Sequence, residues 1–372
     1  MASDTIQTIT RLTPLADVLG IVDMEIKPVT PRTIDVALAA GRVLANDALA
    51  PSRPSAAIAL QDGWAVSADE TLGAGGYSPA MLMRAPPRVD TGQAMPAGTD
   101  SIAPFDAVKV SATYAEAFVT VNPGDGVLPA GGDTDPTIPL HRAGERLRLT
   151  DLAAFAAAGL SRVVVREPRI RVLPLRGNGI IAAAARLVAA DIERRGGAAK
   201  LDDSGRGLPV AMAADTADAI VAFGGTGAGR TDTGVQTLVR EGRLAVHGMA
   251  VTPGETAALG FVGHRPVLLL PGRLDAALAV WLLVGRRILD RLAGATHKEY
   301  EPAQTVPLAR KVASTVGLAE VVPVRVSAGQ AEPLASKYLP LSVVARSDGW
   351  ILVPADSEGY SAGADVQVRP WP

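Results

Sequence analysis

The stretch RIRVLPLRGNGIIAAAARLVAADIERRGGAAKL, residues 169–201, decides the fold class. Its first part, RIRVLPL, alternates apolar and polar residues and predicts a β-strand. GIIAAAARLVAADIERRGG follows with apolar residues at helical spacing and two closing glycines, and it predicts a helix. The short run AAKL predicts a second strand. A strand, a helix and a strand in this order are typical of a βαβ unit, whose two strands are parallel.

The same alternation continues over residues 168–294. It predicts further strands at AIVAF, LAVHGMAV and PVLLLPG, and further helices at PVAMAADTA, TGVQTLVREG and 275–292. Such a pattern predicts a mostly parallel sheet covered on both faces, in which ligands bind beyond the carboxyl ends of the strands. Three predicted strand ends carry glycine, and we expect them to lie side by side: LRGNG at 175–179, FGGTGAGRTD at 223–232 and LLLPGR at 268–273.

The flanking segments have different patterns. Residues 14–50 are predicted to be mostly helical, because DVALAAGRVLANDALA at 35–50 has apolar residues at helical spacing. Short apolar runs separated by Gly and Pro predict an inserted β module over residues 56–125 and a small β domain after residue 297. We therefore expect an α/β multidomain protein with these parts: 1–55 with 126–167, 56–125, 168–294 and 297–372.

Composition narrows the possible functions. The chain has 372 residues, 48% of them hydrophobic, and a formal net charge of −2, which argues against a nucleic acid or a polybasic membrane surface as partner. The longest apolar run, 274–285, is too short to cross a bilayer, and the N-terminus lacks the apolar centre of a signal peptide. The absence of cysteine excludes thiol nucleophiles and cysteine-ligated metals, and we expect a cytoplasmic protein.

The segment FGGTGAGRTD contains the main candidate ligand site. Its four glycines leave backbone N–H groups open to an anion: Gly224, Gly225, Gly227 and Gly229. A helix predicted to begin near Thr231 would add a favourable dipole. Asp232 could hold a metal ion against a phosphate, or it could serve only as a helix cap, and both interpretations stay open.

A second motif predicts a different ligand. GNGIIA at 177–182 fits the dinucleotide pattern G-x-G-x-x-A, and Asp202 and Asp203 follow the next predicted strand. An NAD(P)-dependent oxidoreductase is therefore one alternative, although no set of residues suited to hydride transfer is apparent. The four histidines lack metal-ligand spacing. The candidate carboxylates for catalysis by electrostatics and positioning are Asp62, Asp202 and Asp232.

Six segments occur in an order that resembles a known family. They are QDGWAV (61–66), TGQAMPAGTDSI (91–102), AGERLRLTDLAAFAAAGLSRVVVREPRIRVLPL (143–175), FGGTGAGRTD (223–232), TPGETAALG (252–260) and LLLPGR (268–273). Together they resemble the MoeA and gephyrin E-domain family, the molybdopterin molybdenumtransferases, over nearly the whole chain.

The resemblance implies a fold and an activity. It implies an elongated homodimer whose chains contain an N-terminal helical and extended domain, the β module, a MogA-like central α/β domain and a small barrel-like C-terminal β domain. It also implies an enzyme that inserts molybdate into adenylylated molybdopterin with Mg²⁺ and releases AMP. The cleft would be shared with the partner subunit's β module.

The resemblance also implies roles for particular residues. Asp62, Asp202 and Asp232 match aspartates of the family and are the expected catalytic groups, with Asp202 and Asp232 also expected at the metal. The expected ligand-binding residues are the four glycines named above with Arg176, Arg230, Pro271, Gly272 and Arg273.

This chain departs from the family pattern around the expected site. RGNG at 176–179 stands for T-G-D-E, Gly227 for a serine, TPGET at 252–256 for K-P-G-K-P, and LPGRL at 270–274 for L-P-G-N-P. GDGV at 124–127 stands for G-E-D-I. Two lysines suited to an anion are thereby absent. The alternative hypothesis is therefore a family member without turnover, which binds a pterin, a nucleotide or a partner protein as a carrier or scaffold.

Overall fold

The computed structural model describes residues 9–175, 179–202, 204–214, 216–229, 232–296 and 303–372. The α-helices are α1 Leu15–Glu25, α2 Leu149–Ala157, α3 Gly179–Arg194, α4 Gly207–Ala213, α5 Gly234–Glu241, α6 Leu274–Val280, α7 Arg286–Ala293 and α8 Leu341–Arg346. The strands are β1 Arg32–Asp35, β2 Val43–Leu44, β3 Ile58–Ala59, β4 Gly63–Val66, β5 Ala80–Leu82, β6 Arg88–Val89, β7 Ser101–Ala103, β8 Val108–Val110, β9 Ala115–Ala117, β10 Val127–Leu128, β11 Arg162–Arg166, β12 Arg169–Pro174, β13 Ala198–Leu201, β14 Ala219–Phe223, β15 Arg243–His247, β16 Val251–Thr252, β17 Ala258–Val262, β18 Arg265–Leu270, β19 Gln304–Pro307, β20 Val312–Ala313, β21 Ala319–Ser327, β22 Gln330–Pro333, β23 Gly349–Val353, β24 Gly359–Tyr360 and β25 Asp365–Pro370.

The chain divides into two compact units. The second unit comprises Asp47–Arg142 and Leu149–Arg162, and the first comprises the rest of the chain. The boundaries of the four expected domains stay a prediction.

The first unit is built around a six-stranded sheet in the order β13-β12-β14-β18-β17-β15. Its first four strands are parallel to one another. Strand β17 pairs antiparallel with β18, and β15 pairs antiparallel with β17. All five residues of β14 are buried, as a strand covered on both faces requires. Apolar residues of α3, α6 and α7 pack on one face, and those of α4 and α5 pack on the other. The predicted α/β fold class is confirmed.

The helix predicted within residues 35–50 is wrong. This segment forms a short 3₁₀ turn at Val36–Leu38, followed by β2, which pairs with β11. Gly41 between them has φ of 75°, and a Cβ there would lie 2.6 Å from the carbonyl oxygen of Arg194. Pairing with a distant strand and this close backbone approach therefore override the local helical pattern.

The helix predicted at 275–292 contains an irregularity. A π turn over Trp281–Gly285 separates α6 from α7 within one helical run. A Cβ at Gly285 would lie 2.1 Å from the Trp281 ring, so the wide turn depends on glycine at this position.

The C-terminal β domain is also confirmed. Its main sheet has the order β16-β21-β23-β25-β19, and β22 pairs with β21. The first strand, β16, comes from the chain between β15 and β17 of the central domain and pairs in parallel with β21. Val251–Thr252 therefore belongs to the C-terminal sheet, although the residues before and after it belong to the central one.

The second unit contains the inserted β module. Two three-stranded sheets, β6-β4-β7 and β5-β9-β8, enclose small cores of mainly Ala and Val side chains. Across the described part of both units, no helix combines the length and the apolar character needed to span a membrane.

Candidate functional site

The carboxyl ends of the three glycine-bearing strands lie side by side. Pro174 of β12 is aligned with Phe223 of β14, and Phe223 is aligned with Leu270 of β18. The segments that leave these strands therefore begin at the same edge of the sheet, as predicted. This edge is where open α/β sheets bind their ligands.

Backbone contacts join the three segments beyond the strands. The N–H of Leu175 donates to Phe223 O at 3.0 Å, and the N–H of Gly224 donates to Leu270 O at 2.8 Å. A Cβ at Gly272 would lie 3.7 Å from the Cα of Gly224. The structure thus brings Gly224 and Gly272 together.

The glycine-rich turn depends on left-handed backbone. Gly224 and Gly225 have φ of 91° and 73°, values that a residue with a Cβ rarely adopts. The carbonyl of Gly225 accepts a hydrogen bond of 3.0 Å from the N–H of Gly234, the first residue of α5. The turn is thereby held at the start of this helix.

Asp232 lies against the bare backbone of the same turn. Its N–H donates to Gly229 O at 2.8 Å. Its Oδ2 lies 2.7 Å from the place that a Cβ would take at Gly227, and 3.1 Å from that place at Gly229. The missing side chain at Gly227 therefore makes room for the Asp232 carboxylate.

Thr226 ties the turn to the segment that follows β16. Its Oγ1 lies 3.0 Å from the Oγ1 of Thr256, and its carbonyl lies 3.2 Å from Nε2 of His247 on β15. Thr226 is buried, so both bonds lie away from bulk water. The glycine-rich turn and the 252–256 segment are consequently connected by side-chain hydrogen bonds.

Asp202 follows β13 at the same edge of the sheet. Its Oδ1 accepts hydrogen bonds from Oγ and the N–H of Ser204, at 2.6 and 3.2 Å, and its Oδ2 lies 3.6 Å from Nη1 of Arg171. The Ser204 hydroxyl and, more weakly, the Arg171 charge lower the pKa of Asp202. Asp202 is therefore an anionic oxygen donor at neutral pH.

Asp62 belongs to the second unit. It lies between β3 and β4, and its Oδ1 accepts hydrogen bonds from the N–H and the Oγ1 of Thr91, at 2.7 and 2.9 Å. These bonds, the backbone one first, lower the pKa of Asp62. Asp62 and Thr91 come from two of the segments that carry the family resemblance.

A cavity of about 430 Å³ opens where the 252–256 segment, the end of β18 and the C-terminal domain meet. Its walls include Glu255, Pro271 and Arg273 from the central domain and Lys337 from the C-terminal domain. The parallel pairing of Thr252 with Glu320 fixes the position of these parts. Pro271 and Arg273, expected at the ligand, thus lie in one concave surface.

Arg273 is bound by its neighbours. Its guanidinium forms two hydrogen bonds with the carboxylate of Asp275 and lies 4.7 Å from the centre of the Tyr338 ring. The Asp275 hydrogen bond is the main cause that raises the pKa of Arg273. Asp275 is buried, and its Oδ2 also accepts a 3.1 Å hydrogen bond from the N–H of Leu339.

Two expected site residues, Arg176 and Arg230, lie outside the described residues. Within the described ranges, no three His, Cys, Asp or Glu side chains are grouped closely enough to hold a metal ion by themselves. Carboxylate oxygens are nevertheless the donors that Mg²⁺ prefers, and protein sites for Mg²⁺ commonly use one or two carboxylates completed by water and substrate phosphates. Asp202 and Asp232 supply donors of this type, and their place at a metal ion stays a prediction.

Sequence reasoning missed several residues around the cavity. The sequence alone does not indicate Lys337, Tyr338, Asp275 or His247 as site residues. Lys337 and Tyr338 reach the cavity because β16 pairs with β21, which no local pattern reveals. Asp275 and His247 belong to the central domain, and the sequence does not show their hydrogen bonds with Leu339 and Thr226. The sequence shows Thr256 where the family pattern has Pro, but it does not show that the Thr256 hydroxyl forms a hydrogen bond with the Thr226 hydroxyl.

Comparisons with known families cover most of the chain. Residues 12–159 match the MoeA N-terminal region (domains I and II), residues 197–291 match a probable molybdopterin-binding domain, and residues 305–371 match the MoeA C-terminal region (domain IV). The three matches follow the chain in the order that the sequence motifs predict.

Individual relatives match over almost their full length. A putative molybdopterin biosynthesis protein of Methanocaldococcus jannaschii is 25% identical over 374 residues, with 91% of each chain covered. Molybdopterin molybdenumtransferase 2 of Mycobacterium tuberculosis is 27% identical over 390 residues, which cover 91% of this chain and 94% of the relative.

The fold agrees with a solved structure. The crystal structure of the molybdopterin biosynthesis MoeA protein from Pyrococcus horikoshii OT3 superposes with a TM-score of 0.77 at 22% identity and covers 97% of this chain and 100% of that one. With the N-terminal, molybdopterin-binding and C-terminal regions all matched in order, the chain belongs to the MoeA family.

Proposed function

We propose that this protein acts in molybdenum cofactor biosynthesis as a molybdopterin molybdenumtransferase. It would take adenylylated molybdopterin and molybdate, place molybdenum on the dithiolene and release AMP. The observation that carries the proposal is the alignment of the carboxyl ends of β12, β14 and β18, the last of which leads directly into the cavity at Pro271. Relatives named for molybdopterin biosynthesis and molybdenum transfer support it.

The proposed roles follow from the chemistry of the residues. Gly227, Gly229 and Gly272 leave space without side chains for a phosphate-bearing pterin, and Arg176 and Arg230 would be cations at the rim. Gly224 and Gly225 shape the turn, and the N–H of Gly224 donates to Leu270 O. Arg273 lines the adjoining cavity. Asp202 and Asp232 would hold Mg²⁺ against the substrate phosphates, where the ion would neutralise charge as AMP leaves. Asp62 would complete the cleft from the β module of a partner subunit. We also propose a cytoplasmic homodimer.

A carrier or scaffold without turnover is the second candidate. The position of the Asp232 carboxylate against Gly227 and the two hydrogen bonds from Ser204 to Asp202 favour it, because both carboxylates already have contacts within their own loops. Such a protein would retain the ligand turn and lack the transfer step.

The deciding experiment is calorimetric titration with adenylylated molybdopterin, with and without Mg²⁺, followed by molybdate and an assay for AMP. Binding with AMP release supports the transferase, and binding without release supports the carrier. A titration with NAD(P) serves as the specificity control. Tight binding of NAD(P) without binding of the pterin nucleotide would contradict both candidates.

Asp232→Asn tests the role of this carboxylate in metal-dependent binding. We expect the fold to persist, because the residue lies in a loop, and the Mg²⁺-dependent part of the affinity to fall about tenfold, since one charged ligand is lost. Calorimetry with and without Mg²⁺ measures this difference. Unchanged Mg²⁺ dependence would leave Asp232 as a residue that only shapes the turn.

A further inference from the structure

Two domains build the cavity beside the 252–256 segment. The central domain contributes Glu255 and Arg273, and the C-terminal domain contributes Thr315 and Lys337. The family pattern places lysines at positions 252 and 255, where this chain has Thr252 and Glu255. Among the described residues that line the cavity, the cationic side chains are those of Arg273 and Lys337.

Arg273 is poorly placed to bind a ligand through its charge. Its guanidinium is held by the buried Asp275 through two hydrogen bonds, and the charge of Glu255 acts on it as well. Stacking on Tyr338 further fixes the plane of the guanidinium. A contact with a ligand anion would compete with these interactions.

Lys337 differs from Arg273 in this respect. Among the described residues, no carboxylate forms an ion pair with its ammonium group, and its side chain is exposed along the wall of the cavity. An unpaired ammonium beside a cavity of about 430 Å³ has the charge and the space to contact an anionic group.

The backbone of Lys337 is held in an unfavourable conformation. Its φ of 63° lies in the left-handed region, which is disfavoured for a residue with a Cβ. The N–H of Lys337 donates to Oε1 of Glu320 at 2.8 Å, and Glu320 is fully buried. Two residues later, the N–H of Leu339 donates to Asp275. Two buried carboxylates therefore fix the segment that presents Lys337 to the cavity.

We propose that Lys337 is the anion-binding cation of this cavity, that it binds a tetrahedral oxyanion in place of the missing lysines, and that Glu255 weakens this binding. Thr315 lines the same cavity and carries a hydroxyl, a group that can donate a hydrogen bond to an oxyanion. The nature of the oxyanion rests on the proposed function: it is either free molybdate or the phosphate of a nucleotide.

The test uses the full chain and calorimetric titrations with sodium molybdate, inorganic phosphate and AMP, each alone. Lys337→Gln should weaken oxyanion binding by about tenfold or more, because a charge-assisted hydrogen bond is lost. Glu255→Gln should tighten it on the order of threefold, since a like charge is removed. Lys311→Gln, an exposed lysine of the same domain outside the cavity wall, should leave it unchanged.

Lys337→Gly separates binding from folding. Glycine adopts left-handed backbone without a steric penalty, so this variant should unfold near the wild-type temperature and still lose oxyanion affinity. Wild-type affinity in both Lys337 variants would overturn the inference, as would a wild-type chain that binds none of the three probes. Lys337 dependence seen only with AMP would identify the nucleotide phosphate, and dependence with molybdate or phosphate would identify the free oxyanion.

The same measurements can contradict the proposed function and this inference independently of each other. Lys337-dependent oxyanion binding without any affinity for adenylylated molybdopterin would retain the anion site and contradict the transferase. Binding of the pterin nucleotide and release of AMP, both unchanged in Lys337→Gly, would retain the transferase and contradict the role of Lys337.

Discussion

At the scale of single residues, Gly227 determines where the Asp232 carboxylate lies. Oδ2 of Asp232 occupies space only 2.7 Å from the position of a Cβ at residue 227. A larger residue would push this carboxylate away from the turn.

Gly227→Ala should displace the Asp232 carboxylate and change ligand affinity more than stability. Because the displaced atom is the end of a side chain, we expect a loss of at most about 1 kcal/mol in the free energy of unfolding. Calorimetry with adenylylated molybdopterin and thermal unfolding measure the two effects. Gly76→Ala, where a Cβ would meet no atom within 4 Å, is the matched control. Unaltered ligand affinity would show that the position of the carboxylate does not matter for binding.

At the scale of elements, the π turn joins α3 to the long helical run. Asp191 of α3 is fully buried and accepts hydrogen bonds from Nε1 of Trp281 at 2.8 Å and from Nε of Arg286 at 2.9 Å. Trp281 begins the π turn and Arg286 follows it, so the widened turn places both donors on one carboxylate. Arg194 at 2.8 Å and Arg195 at 3.4 Å add two further positive charges.

Asp191 should make the protein sensitive to acid. Burial by itself raises the pKa of Asp191, but the hydrogen bonds and charges of Arg286 and Arg195 lower it from 3.8 to about 2. A carboxylate with a lowered pKa stabilises the fold above its unfolded pKa, and this contribution of about 2 kcal/mol is lost as the pH falls from about 4 to about 2. Burial raises the pKa of the nearby Asp290, which adds a pH dependence of opposite sign.

Asp191→Asn isolates this contribution. We expect a loss of about 3 kcal/mol in the free energy of unfolding at pH 7, because buried arginines lose their counter-charge. Below about pH 4 the difference from wild type should shrink. Urea unfolding at several pH values measures both, with the exposed Asp356→Asn as control. A constant difference between pH 7 and pH 2 would contradict the role of the charge.

At the scale of the whole molecule, residues with proposed roles occur in both compact units. The glycine-rich turn, Asp202 and the cavity belong to the first unit, and Asp62 belongs to the second. The family resemblance implies that a partner subunit supplies Asp62. Light scattering should therefore give twice the chain mass of 38.2 kDa.

Asp62→Asn should separate the contributions of the two units. We expect AMP release to fall by at least about tenfold, because a charge at the proposed cleft is lost, while molybdate binding in the cavity is unchanged. Asp106→Asn, an exposed aspartate of the same unit, is the control. A loss of molybdate affinity in Asp62→Asn, or unchanged AMP release, would contradict this division.

The sequence by itself determined the fold class and the edge of the sheet that carries the site. Local periodicity predicts the βαβ unit of 169–201, and the backbone freedom of glycine predicts the turns after β14 and β18. Both properties belong to the local sequence and can be read from it directly. The order of the motifs that resemble the family can likewise be read from the sequence, because it needs no three-dimensional contact. Local periodicity also failed at 35–50, where the close approach of Gly41 to Arg194 and pairing with β11 replaced a helix.

Only the tertiary structure decided which side chains meet at the cavity. Lys337 and Glu320 are distant in sequence from the 252–256 segment, and the pairing of β16 with β21 brings their domain to it. Asp275 meets the same domain through the hydrogen bond that it accepts from the N–H of Leu339. The left-handed backbone of Lys337 is likewise imposed by two buried carboxylates rather than by its own preference. Long-range pairing and buried hydrogen bonds outweigh local propensity at these positions, and therefore no local pattern could reveal them.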